Sequence, residues 1–64
     1  MATLLKLPEV TAETTFSSSQ IYSLIQKGEF PKPIKLSERS SAWVASEVYE
    51  WIESKIQQRD EEAA

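Results

Sequence analysis

Apolar residues recur along this chain in three different periods. Ile21, Leu24 and Ile25 stand at i, i+3 and i+4, the spacing of one buried helical stripe, with Gln20, Ser23 and Lys27 on the opposite side. Val44, Val48, Trp51, Ile52 and Ile56 recur at i, i+4, i+7, i+8 and i+12, an apolar helical face three turns long. Between these helices Ile34-Lys35-Leu36 alternates in, out, in, as a half-buried strand does.

The residues between these patterns mark where each element starts and stops. Residues 3–7 read as a short apolar lead-in, an extended segment. Pro8 suits the first position of a helix, where its missing N–H costs nothing, and Glu9 suits the positive end of the dipole. A first helix over 8–14 then turns Leu7, Val10 and Phe16 inward. Thr14, Thr15 and Ser17 are poor helix formers and read as the turn. Ser17 to Ser19 can cap a second helix over 18–27, and Gly28 stands where a left-handed cap would close it. Pro31 and Pro33 force extended backbone on the residues before them. A hairpin over 34–44 follows, with Ser37 to Ser40 as its polar tip. Ser46 or its neighbour caps a last helix over 46–58, and the charged end, 59–64, is expected to fray. The whole chain, 1–64, reads as one domain: mainly α with a small β-hairpin, its first two helices a helix-turn-helix.

Composition removes whole classes of chemistry. There is no cysteine and no histidine, so disulfides, thiolate metal sites and the commonest general base are all missing. No nucleophile is paired with an activating base and no glycine-rich loop could hold a phosphate, so no enzyme, cofactor, metal or small-molecule ligand is expected. Lacking a membrane-spanning run or a signal-like start, the chain reads as cytoplasmic.

Charge sharpens the functional reading by its distribution. The net charge is −3. In 1–44, however, Lys6, Lys27, Lys32, Lys35 and Arg39 outnumber Glu9, Glu13, Glu29 and Glu38. In 45–64, Lys55 and Arg59 face Glu47, Glu50, Glu53, Asp60, Glu61 and Glu62. The acidity belongs to the last helix and the tail, which leaves the second helix and the hairpin free to meet an anion.

An α-helix fits the DNA major groove, and residues near its N-terminus reach base edges. On the second helix Gln20 could pair with adenine, and Ser19 or Ser23 with a base or a phosphate. Tyr22 could give its hydroxyl to a phosphate, and the amides at Ser18 and Ser19 favour a phosphate oxygen. Lys32, Lys35 and Arg39 put three cations in and before the hairpin. Serine and glutamine on an exposed helix are by themselves ordinary solvated residues; the basic hairpin beside them is what directs the reading to nucleic acid. Trp43 and Trp51 fall on apolar sides and read as core rather than as a stacking platform.

Three stretches carry a resemblance: Leu4 to Val10, Ser17 to Ile25, and Gly28 to Leu36. Arg39 and the closing pattern of Ala42, Trp43, Ser46, Glu47, Val48, Trp51 and Ile52 complete it. Over roughly 4–56 the chain resembles the AlpA family of phage and genomic-island regulators, winged-helix relatives of MerR and excisionase DNA-binding domains. The resemblance implies sequence-specific binding of duplex DNA, regulation of integrase or excision genes, and a role in transcription or in excision itself. It makes the second helix the recognition helix, with Ser18, Ser19, Gln20, Tyr22 and Ser23 at the DNA and Lys35 and Arg39 in the wing. The family commonly has Arg at the positions of Ser18 and Ser23 and Gly at that of Thr15, so this chain departs at three places.

The expected partner is double-stranded DNA. One copy offers few contacts, and a homodimer or a cooperative array on repeated half-sites would enlarge the footprint, with Tyr49 and Ile56 between copies. The alternative is a protein-interaction module whose acidic last helix docks on an integrase, a repressor or a polymerase subunit.

Overall fold

A computed structural model describes residues 2–63. Its elements follow in the order β1 (Leu4–Leu5), α1 (Leu7–Thr14), α2 (Ser18–Gln26), β2 (Ile34–Ser37), β3 (Ser40–Val44) and α3 (Ala45–Ala63). Together they make a winged helix-turn-helix: α1 and α2 form the helical pair, and β2 and β3 form the wing. Ala64, the end of the expected tail, lies outside the described residues, as does Met1.

Local chemistry sets both ends of α2. The Ser17 hydroxyl accepts from the Gln20 amide at 3.3 Å while the Gln20 side-chain oxygen accepts from the Ser17 amide at 2.9 Å. This reciprocal capping box satisfies donors that the first turn would otherwise leave open. At the other end Gly28 takes φ +73°, its amide donates to the Ile25 carbonyl at 3.0 Å, and the Glu29 amide donates to Leu24 at 2.9 Å. That is a Schellman closure, and it requires the left-handed backbone that glycine adopts without strain. Lys27, expected as the last helical residue, is the C-cap.

Thr15 meets a similar demand without being suited to it. It ends α1 in the left-handed region at φ +64°. A β-branched residue is strained there by roughly 1–2 kcal/mol. A glycine at this position, which the resemblance implies, would adopt that backbone without strain. Thr15→Gly should raise stability by about 0.5–1 kcal/mol after glycine's own entropy cost, a few degrees in Tm by thermal circular dichroism. An unchanged or lower Tm would mean that the strain is absorbed elsewhere.

The sheet has three strands in the order β1-β3-β2, all antiparallel. The apolar lead-in is thus an edge strand: Leu4 pairs with Val44 and Leu5 with Trp43, and the Ala45 amide extends the ladder by donating to Thr3 at 2.7 Å. Leu5, Val10, Ile21, Phe30, Trp43, Ala45 and Val48 form the buried core, with Leu7, Phe16, Leu24, Ile25, Trp51 and Ile52 packed around it. Every element except β2 contributes to the buried set, Phe30 joins it from the segment before the wing, and a fully buried large apolar side chain stabilises by about 1.5–3 kcal/mol.

Four expectations are corrected. First, α1 starts at Leu7 rather than Pro8, which still suits the first turn because no helical acceptor is available to an amide there. Second, α3 starts at Ala45, so Ser46 lies inside its first turn and is not the cap. Third, the last helix does not end at 58: helix continues through 59–63. Gln57 to Ala63 contains good helix formers and no glycine or proline to stop it, and Arg59 pairs with Asp60 at 2.9 Å. Fourth, the alternation in β2 does not bury Ile34 and Leu36. Both are exposed, as is the whole strand, because β2 is the far edge of the sheet and projects past the helices that make the core. Ile56, placed at the end of the α3 stripe, is also exposed. Among the described residues, no helix is long and apolar enough to cross a membrane.

Candidate nucleic-acid interface

The segment joining α2 to the wing is held by the two tryptophans. The indole N–H of Trp51 donates to the Glu29 carbonyl at 2.7 Å, and that of Trp43 to the Pro31 carbonyl at 3.0 Å. Phe30, between those two carbonyls, is buried with its ring edge-on to Trp51 at 4.9 Å between centroids. Two prolines remove amide donors here and leave carbonyls to be satisfied, and the indoles supply donors from the sheet and from α3. The physical result is a fixed offset between the end of α2 and the start of the wing.

Around this clamp the structure places every sequence-predicted residue on the surface. Ser18, Ser19, Gln20, Tyr22 and Ser23 are exposed along α2, and Lys27 is exposed at its cap. Lys32 is exposed between half-buried Pro31 and Pro33. Lys35 pairs across the ladder with Ser41, and Arg39 is in the wing tip, which is the two residues Glu38 and Arg39 because Ser37 and Ser40 are already paired. Tyr22, 48 % exposed, keeps its ring 6.4 Å from that of Trp43, so the middle of α2 is seated against the sheet.

Helical spacing orders the α2 residues more finely than composition does. Ser19, Tyr22, Ser23 and Gln26 follow i, i+3, i+4 and i+7 and make the centre of the exposed face, opposite Ile21 and Leu24. Gln26 belongs to this face and was missed; its spacing from Ser19 was the available signal. Gln20 lies at the rim, beside the buried stripe. Its side-chain oxygen is engaged by the Ser17 amide, so a bidentate pairing with adenine requires breaking the capping box. The cap uses the Gln20 amide and leaves those of Ser18 and Ser19 as the donors of the first turn.

This arrangement separates two roles that Gln20 could play. As a cap partner, Gln20→Ala should lower stability by about 0.5–1 kcal/mol, visible as a small drop in Tm. As a base reader it should instead relax preference at one base pair while leaving Tm unchanged. The capping bond predicts the first outcome.

A helical pair, a clamped bend and a basic wing define a winged helix-turn-helix protein. The family described as prophage CP4-57 regulatory protein (AlpA) matches residues 3–56, and the chain belongs to that family of phage regulatory proteins. Over 52 residues it is also 44 % identical to "Uncharacterized protein ORF88" of Enterobacteria phage P4. The match covers 81 % of this chain but spans only 59 % of the length of that relative.

Proposed function

We propose that this chain binds duplex DNA and regulates prophage or genomic-island genes such as those for integrase or excision, or assists excision directly. The exposed face of α2 enters the major groove, with Ser19, Tyr22, Ser23 and Gln26 toward the bases. Lys32, Lys35 and Arg39 meet the flanking backbone. The observation that carries the reading is the tryptophan clamp, which ties a polar helix face and a basic wing into one preset surface. A surface of that kind gives register on a duplex: phosphate contacts position it and the helix reads. The protein acts by binding alone, without catalysis, cofactor or small-molecule ligand, and two copies on repeated half-sites bring the contact area into the range of specific complexes.

Electrophoretic retardation on duplex from the region upstream of the chain's own gene tests this. Three cations at phosphates should give a log–log salt slope of roughly −3 per copy. The absence of retardation at low salt would overturn the proposal.

A second reading is favoured by α3. Its last turn carries no base, and Asp60, Glu61 and Glu62 stand at the negative end of the helix dipole, where a cationic partner would stabilise them. In that reading the chain docks on an integrase, a repressor or a polymerase subunit. Retardation by salt-sensitive duplex binding decides for the first, and binding to protein that survives loss of Lys35 and Arg39 decides for the second.

A further inference from the structure

The wing carries apolar surface that the rest of the described fold does not cover. Leu36 is 56 % exposed, the most of any large apolar residue described, and Ile34 is 42 % exposed. The ladder register accounts for Leu36. Lys35 pairs with Ser41 and Ser37 with Ser40, so Leu36 is an extra residue without a partner on β3. A bulge of this kind bends its strand and re-aims a side chain, and bulges are common beside functional sites.

The charge around this projection is mostly positive. Lys32, Lys35 and Arg39 surround Leu36 in sequence, and Glu38 is the single acid between residues 30 and 44. Among the described residues the ion pair is Arg59 with Asp60, on α3, so none of the three wing cations is neutralised by a carboxylate. A leucine flanked by unneutralised cations suits a partner that presents phosphates on both sides of a narrow slot. The minor groove, ~6 Å wide, has that form, and it admits side chains rather than a helix or a two-stranded ribbon.

We propose that Leu36 is a minor-groove wedge: Lys35 and Arg39 sit on phosphates on either side, and Leu36 enters between base pairs, partly unstacks one step and bends the duplex. This rests on the duplex-binding reading and deepens it. Wedging selects for steps that unstack easily, pyrimidine–purine steps above all, so it discriminates among sequences without hydrogen bonds to bases. That discrimination adds to what α2 offers, since residues 18–26 carry no arginine or lysine.

The test uses the footprinted upstream duplex in circular-permutation gels, and the same duplex with 2-aminopurine placed in turn at each step under the wing. Wild type should bend the duplex and raise the fluorescence at one step several-fold. Leu36→Ala, at a surface position and checked for unchanged circular dichroism, should abolish both signals and lower affinity about tenfold. Leu36→Met should retain them. Arg39→Ala should weaken binding but leave the remaining complex bent. An equal bend with Leu36→Ala overturns the wedge. So does a retained bend with loss of cooperative binding to two-site duplex, which would make Leu36 a contact between copies. Failure of wild type to retard the duplex at low salt is a separate result: it removes the duplex-binding reading and the wedge with it.

Discussion

Trp43→Ala should leave this protein largely unfolded in buffer at room temperature. Trp43 is 1 % exposed, pairs across the ladder with Leu5, faces Tyr22 of α2, and donates to the Pro31 carbonyl. Removing a buried tryptophan costs about 3–5 kcal/mol through lost burial and the cavity left behind. A domain of this size has only about 3–10 kcal/mol in total. Trp43→Phe separates the hydrogen bond from the volume. It keeps an aromatic ring in the core but leaves the Pro31 carbonyl without its donor, at about 1–3 kcal/mol. Urea unfolding followed by circular dichroism measures both. A Trp43→Ala protein melting within a few degrees of wild type would mean that the bend is held by Trp51 alone.

The second large effect is on binding. Replacing Lys35 and Arg39 together by alanine should lower affinity for duplex roughly thirtyfold at low salt, about 1 kcal/mol per lost charged contact. The loss should be nearly equal on all sequences, and the log–log salt slope should become shallower by about 2, one unit for each phosphate contact removed. Both side chains are exposed, and neither forms an ion pair among the described residues, so Tm should stay within a degree or two. A loss confined to one sequence would assign these residues to base reading, and no loss would place the DNA surface elsewhere.

These two outcomes bear on different parts of the molecule, and the sequence showed the two parts unequally. The limits of α2 were legible because Ser17, Gln20 and Gly28 act on backbone groups within a few residues of themselves. The wing was legible as a hairpin, but its apolar residues were assigned to the core by alternation. Alternation says which residues share a face and nothing about whether another layer covers that face. At the free edge of a three-stranded sheet none does, and the bulge at Leu36 breaks the alternation as well. The charged end of α3 was misread for a related reason: a run of charge indicates exposure, not loss of helix. Only a breaker or an unsatisfied end stops a helix, and Gln57 to Ala63 contains no breaker.

The site divides in the same way. Ser18, Ser19, Gln20, Tyr22, Ser23 and the basic residues could be named from helical spacing and charge, and the structure places all of them on the surface. The capping role of Gln20 is also local and could have been read from its spacing to Ser17. The indole donors could not. Trp43 reaches Pro31 across 12 residues and Trp51 reaches Glu29 across 22, and apolar spacing marks both only as core.

By itself, then, the sequence determined the kind of elements, the ends of α2 and the family, because caps, prolines and helical periods act over one or two turns. Only the tertiary structure decided that Leu4 and Leu5 join the sheet, that two indoles hold the bend between helix and wing, and that Leu36 stands out from the wing. Each of these depends on which distant group comes within reach, and that is settled when the layers pack.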